Sequence, residues 1–249
     1  MATTLFRKHG LALAIAAAVV APNAQAQDNA SVLDTVQVTA DRRVENLQDV
    51  PVSVSTVSGE NLNALASGGT DVRFLSGRVP SLNIESSFGR AFPRFYIRGY
   101  GNTDFRLNTS QPVSLVYDDV VQENPILKGF PVFDVDQVEV LRGPQGTLFG
   151  RNSPAGVVKF NSVKPTEEVG GYGKLSLASF GGVNAEGAIG GGIGEGWSTR
   201  VSAQYQHRDD FVDNTYTGEK DAYEGYDEIA ARAQLGFKSD NFEALFNVH

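Results

Sequence analysis

The sequence is 249 residues long, contains no cysteine and carries a formal net charge of −8. Missing thiols exclude disulfide frameworks, thiolate metal sites and cysteine nucleophiles. The acidic balance argues against a nucleic-acid partner, whose phosphates need a basic surface.

Residues 1–26 have the three parts of an export signal: Arg7 and Lys8, the apolar run Leu11 to Ala21, and the small-x-small site Ala24-Gln25-Ala26. The run is 11 residues, too short for a bilayer that needs about 20. The mature chain is expected to start at Gln27, where 19 basic residues face 29 acidic ones, a net charge of −10. No other apolar stretch approaches spanning length, so any membrane embedding must use β-strands. Residues 27–45 form a polar leader, expected to be flexible, with one extended stretch at Thr35-Val36-Gln37-Val38-Thr39.

Residues 46–165 have the pattern of a compact α/β domain, a small mixed sheet with short helices. Val52 to Val57 alternates as a half-buried strand does. Ser58 is placed to cap a helix through Ala66, closed by Gly68-Gly69, and Thr70 to cap a second that carries Val72 and Leu75 and stops at Gly77. Short β-rich pieces follow at Phe95-Tyr96-Ile97, Val113 to Tyr117, Gln137 to Leu141 and Val157 to Phe160. Turns fall at Gly143-Pro144-Gln145-Gly146 and Gly150 to Gly156. Gly99, Gly143, Gly146, Gly150 and Gly156 are expected to serve positive-φ or close-approach positions.

After Pro165 the period becomes two. Five segments alternate: near Gly173 to Phe180, from Val183 to Ile189, Trp197 to Gln206, Ile229 to Lys238 and Phe242 to His249. In the third, Trp197, Thr199, Val201, Ala203 and Tyr205 share one face, and Ser198, Arg200, Ser202, Gln204 and Gln206 the other. Glu195-Gly196 and Ser239-Asp240-Asn241 are tight turns, whereas His207 to Asp227 is long and acidic. Short turns at one end and longer loops at the other suit an outer-membrane barrel, with Trp197 and Tyr205 at girdle positions. A soluble antiparallel sheet with one wet face gives the same alternation; the export signal favours the barrel.

Asp34-Thr35-Val36-Gln37-Val38-Thr39-Ala40 resembles a TonB box. Ile97-Arg98-Gly99 and Val138-Glu139-Val140-Leu141-Arg142-Gly143-Pro144-Gln145-Gly146-Thr147-Leu148-Phe149-Gly150-Arg151-Asn152 resemble the two signature stretches of the plug in TonB-dependent outer-membrane receptors. Ser153-Pro154-Ala155 departs from the small-residue pattern usual there. The resemblance implies an α/β plug, residues 46–165, followed by the first strands, residues 166–249, of a transmembrane antiparallel β-barrel of the 22-strand class. It implies a monomer in the outer membrane of a Gram-negative bacterium, in contact with lipid, TonB and its inner-membrane energising complex. The implied activity is uptake of a scarce nutrient, by default a ferric siderophore, with an oligosaccharide or a cobalamin-like ligand as alternatives. A soluble plug-like binding fragment is the reading if the chain ends at His249.

Residues 34–40 would add as a strand to a partner's sheet, and the absence of proline keeps every N–H available. By the resemblance, Arg98 and Arg142 lock the plug to glutamates of the barrel. Apical plug loops place Phe88, Arg90, Phe92, Arg94, Phe105 and Arg106 for an anionic chelate, by charge and stacking. No cofactor or metal is implied. Catalysis is not expected: the only histidines are His9, His207 and His249, and neither a Gly-x-Ser-x-Gly elbow nor an H-E-x-x-H helix occurs. Only Gln27 to Leu33 precede the box, so a signalling or starch-type domain is not expected ahead of it.

Overall fold

The computed structural model describes residues 36–66, 71–104, 106 and 108–249. The expected export signal, Asp34, Thr35, Gly68, Gly69, Thr70 and Phe105 lie outside the described residues.

The described residues open on a two-stranded antiparallel ladder of β1 (Gln37–Val38) and β2 (Glu45–Asn46). Next come β3 (Ser53–Ser58), helix α1 (Gly59–Ala66) and a 3-10 turn (Val72–Leu75). The turn's cap is Asp71 and not Thr70, because the Asp71 carboxylate accepts from the Arg73 N–H at 2.9 Å. The hairpin β4 (Leu82–Glu85) and β5 (Arg94–Ile97) follows, then β6 (Val113–Tyr117), β7 (Val120–Gln122) and a second 3-10 turn (Pro125–Lys128). The domain closes with β8 (Val135–Arg142), helix α2 (Gly146–Phe149) and β9 (Gly156–Ser162).

Its main sheet has the order β3-β8-β9-β6-β7, mixed because β6 and β9 run parallel. Most of β6, β8 and β9 is buried, since both faces of the sheet are covered. One face packs Val138, Val140, Val158 and Phe160 against Leu62 of α1 and the segment from Val72 to Val79. The other packs Leu141, Val157 and Val116 against Phe149, Val50, Val38 and Ala40. The leader is therefore docked from Val36 onward, contrary to the expected flexibility. Two alternate small apolar residues were too sparse to show as a face, yet both are fully buried.

Glycine behaves as expected at Gly156, where φ is +150° and an added Cβ would meet the Leu141 carbonyl at 2.2 Å. Gly146 does not: it starts α2, with no positive φ, so the stretch read as one turn contains a helical one.

The second part is an open five-stranded antiparallel sheet. It comprises β10 (Gly170–Ala178), β11 (Gly182–Gly194), β12 (Trp197–Arg208), β15 (Tyr226–Ser239) and β16 (Phe242–Val248) in that order. The long acidic connection contains its own hairpin, β13 (Val212–Asn214) and β14 (Glu219–Tyr223). At 13, 12 and 14 residues, β11, β12 and β15 exceed the 9–11 or so that a tilted strand needs to cross a bilayer.

Burial in this sheet is inverted relative to a water-soluble one. Gln206, Arg232 and Gln234 are 1%, 1% and 2% exposed, whereas Leu175, Leu177 and Ile229 are 70%, 76% and 84% exposed. A soluble sheet hides its apolar face; this one hides its polar face against the α/β domain. Trp197, Phe237 and Phe242 cluster beside the tight turns at one end, with ring centroids 4.7 and 6.3 Å apart. The apolar face belongs to lipid and the polar face to an occupied lumen.

Candidate functional site

The seam between plug and wall centres on Asp134, immediately before β8. Its φ is 49°, a left-handed conformation that aspartate tolerates better than most residues. The Arg200 guanidinium of β12 forks onto its carboxylate, Nε to Oδ2 at 2.8 Å and Nη2 to Oδ1 at 2.6 Å. Arg232 of β15, fully buried, donates to the Asp134 carbonyl at 2.7 Å and to the Phe133 carbonyl at 3.3 Å. It also donates to the Tyr117 hydroxyl. The Asp134 N–H donates to Glu186 of β11 at 3.1 Å. Burial pushes the Asp134 carboxyl up, but the two guanidiniums outweigh it and hold it below the usual carboxylate range. Burial raises the Tyr117 phenol to about 12, so it stays neutral beside Arg232.

Further contacts extend the seam. Gln234 donates to Ser162 at 3.0 Å, Asn247 to Asp118 at 2.7 Å and Lys174 to Asn63 at 2.6 Å. Arg90, expected to face a ligand, reaches the wall. It pairs with Glu228 at 2.7 Å and Gln206 at 2.9 Å, and its guanidinium lies 4.0 Å from the Tyr226 ring centroid.

Arg142 is held within the plug. Its Nε and Nη2 donate to the Pro80 carbonyl at 3.1 and 2.8 Å, and Nη2 reaches Ser55 at 2.8 Å. Arg98 is exposed, with φ 55°, and its N–H donates to the Ser81 carbonyl. No wall carboxylate meets either one among the described residues. Phe88 and Phe92 meet edge to face at 5.7 Å, and Arg94 donates to Ser87 at 2.7 Å. Arg106 is forked onto Asp104 and holds that carboxyl well below its ordinary range.

On the opposite face of the plug sheet from α1, the segment around Thr39 lies against β8 and β9. The Glu139 Oε1 accepts from the Thr39 N–H at 2.9 Å, the Thr39 hydroxyl at 2.8 Å and Asn161 at 2.9 Å. Lys159 Nζ donates to the Thr39 hydroxyl at 2.8 Å and pairs with Asp119 at 2.8 Å. Glu139 thus faces away from Arg142, as residues three apart on a strand should.

Sequence reasoning missed Asp134, Glu186, Glu139 and Lys159. A signal existed for Asp134: Arg200 sits on the polar face of its strand, and an inward arginine needs a carboxylate. Which carboxylate depends on how the plug seats.

The family profile described as TonB-dependent Receptor Plug Domain matches residues 46–157. The Pesticin receptor of Yersinia enterocolitica is 30% identical over 150 residues, 60% of this chain and 22% of that one. The Vitamin B12 transporter BtuB of Vibrio vulnificus is 29% identical over 152 residues, 59% of this chain and 23% of that one. The crystal structure of the ferric yersiniabactin uptake receptor FyuA from Yersinia pestis superposes with a TM-score of 0.69 at 28% identity, covering 79% of this chain and 30% of that one. The chain therefore spans less than a third of the length of these relatives, which are named as receptors and transporters and not as enzymes. Matched profile, shared architecture and inverted wall agree: residues 46–157 match the plug of the TonB-dependent receptors, and the chain has their architecture of a plug followed by the opening strands of an outer-membrane barrel.

Proposed function

We propose that this chain is the gated portion of an active importer. Ligand binds at the outer face, TonB takes residues 34–40 as an added strand, and the pull displaces part of the plug. The observation that supports this reading is the occupied lumen. The inward polar side chains of β12 and β15, Ser202, Gln204, Gln206, Arg232 and Gln234, are all buried beneath the plug. A solute can pass this part of the wall only if the plug yields, which requires work from outside the domain.

In this reading residues 1–26 are removed on export, residues 27–45 carry the coupling segment, residues 46–165 form the plug, and the working unit is a monomer. Arg98 and Arg142 would meet barrel carboxylates from elsewhere in the protein. Phe88, Phe92, Arg94, Phe105 and Arg106 remain candidates for ligand contact, with an anionic ferric chelate as the proposed cargo. The ferric yersiniabactin receptor is the relative whose name supports that choice, and the vitamin B12 transporter is the reason to include cobalamin in the test.

Deleting residues 34–40 from the intact gene product should abolish uptake of a radiolabelled ferric chelate while leaving its binding to cells unchanged. Uptake that survives the deletion would overturn the coupling reading. Cobalamin uptake in place of iron would overturn the cargo and keep the mechanism.

A further inference from the structure

We propose that Glu139 and Lys159 are positioning residues that clamp the coupling segment at rest by holding Thr39, and that release of Thr39 is the step that frees residues 34–40 for a partner strand. This rests on the coupling reading above and supplies its control point.

Glu139 and Lys159 are register partners on the adjacent central strands β8 and β9, and they are 0% and 2% exposed. Charges there are costly, and a sheet built for stability alone would carry apolar residues. Besides bonds to Gln137, Asn161 and Asp119, both side chains hold one residue of the leader. Thr39 donates its N–H and hydroxyl to Glu139; its hydroxyl accepts from Lys159 and, at 3.2 Å, from Asn161; its carbonyl accepts from Lys159 at 3.4 Å. Gln137, itself bonded to Glu139 at 3.0 Å, donates to the Gln37 carbonyl at 3.1 Å. The ladder between β1 and β2, by contrast, has only two register pairs. Side chains of β8 and β9, more than strand pairing, hold the segment.

Two features make this a clamp that opens. Strand addition to a partner sheet uses main-chain N–H and C=O groups, and those of Thr39 are the groups that Glu139 and Lys159 occupy. Docking and partner pairing through Thr39 are therefore mutually exclusive. Further, the buried Oε2 of Glu139 has no hydrogen-bond partner. Departure of Thr39 would let water reach a carboxylate that is only half satisfied, which offsets part of the lost bonding.

These 249 residues contain no cysteine, which permits a direct test once any cysteine elsewhere in the intact gene product is replaced by serine. Ala40, fully buried beside Thr39, is replaced by cysteine in the intact gene product, and maleimide labelling is followed in isolated outer membranes without TonB. A control cysteine replaces Ala155, buried in the cluster on the opposite face of the sheet. Adding Thr39→Val, which keeps the side-chain shape, or Lys159→Met should speed labelling at position 40 by roughly ten- to a hundred-fold. Labelling at position 155 should not change. Glu139→Gln, which retains an acceptor oxygen, should label more slowly than Glu139→Ala. Unchanged labelling at position 40 in both Thr39→Val and Lys159→Met overturns the clamp. A parallel rise at position 155 also overturns it, because the plug would then be loosening as a whole. The readout needs no transport, so failure of the residue 34–40 deletion to block uptake would sink the coupling reading and leave this result standing.

Discussion

Arg200 of the wall grips Asp134 of the plug with both arms of its guanidinium, at 2.6 and 2.8 Å, and the Asp134 side chain is wholly buried. Arg232 closes on the same residue from the next strand in the sheet. Removing the carboxylate leaves two inward guanidiniums without their counter-charge. Asp134→Ala should therefore destabilise the plug in its barrel by about 3–5 kcal/mol, read as a lower denaturant midpoint for plug release in purified receptor. Because the folded carboxyl is held below its ordinary range, its contribution is present above the unfolded value near 3.9 and is lost as pH falls through the lower folded value. The seam should hold at neutral and mildly acidic pH and weaken only in strong acid. The Asp134→Ala variant should lack that acid-dependent step.

Arg90 makes a different kind of contact with the wall, bonding Glu228 and Gln206 while stacking on Tyr226. Lysine keeps the charge but not the planar fork or the stacking. Arg90→Lys should lower stability by about 1–2 kcal/mol in a thermal scan. Arg106→Lys, in an exposed pair with Asp104, should leave the thermal midpoint unchanged. Equal effects from the two would remove the distinction between wall contact and solvated loop.

The two arginines also mark where sequence reading stopped. Alternation located all five wall strands, because lipid on one side and a polar lumen on the other impose a period of two, but β11 runs on from Ile189 to Gly194 through glycines that carry no such signal. The plug strands Val113 to Tyr117 and Gln137 to Leu141 were legible from β-branched density between glycine and proline turns. The pattern points to Thr70 as a cap where Asp71 serves, a one-residue shift that local pattern rarely resolves. The contacts of Arg90, Asp134 and Glu139 join residues 138, 66 and 100 positions apart in the chain. No local period encodes such pairings, so Arg90 was grouped with its loop neighbours and the docking of Val38 and Ala40 went unread.

Lys128 is buried in the second 3-10 turn, where its Nζ donates to the Val113 carbonyl at a long 3.4 Å. Burial lowers its pKa from 10.5 to about 8, with Glu123 opposing the shift. A folded value below the unfolded one means that the unfolded chain binds more protons between them, so stability should rise with pH from about 8 to about 10.5. Lys128→Met should flatten that rise and, at pH 7, stabilise the plug by about 2 kcal/mol after allowance for the lost hydrogen bond. Unfolding midpoints of parent and variant at pH 7 and pH 10 test both statements, since their difference cancels the other groups that titrate there.

Val201 lies mid-strand on the outward face of β12, half exposed, with Ala233 of β15 as its register partner. Its neighbours on that face, Ala203 and Tyr205, also point away from the plug. Were this face wet, Val201→Lys would be harmless or would improve solubility. Facing hydrocarbon, the ammonium has no counter-charge and little water, and near the bilayer midplane such a change costs about 2–4 kcal/mol. The inward neighbour Ser202 offers the control: Ser202→Ala removes a hydroxyl from the plug side and places nothing in lipid. Folding into bilayers of defined thickness, followed by heat-modifiable migration, should show the lysine variant losing folded fraction while Ser202→Ala stays close to the parent. A lysine variant that folds as well as the parent would mean that the exposed apolar stripe is covered by something other than lipid, and the inverted burial of the whole sheet would then need another explanation.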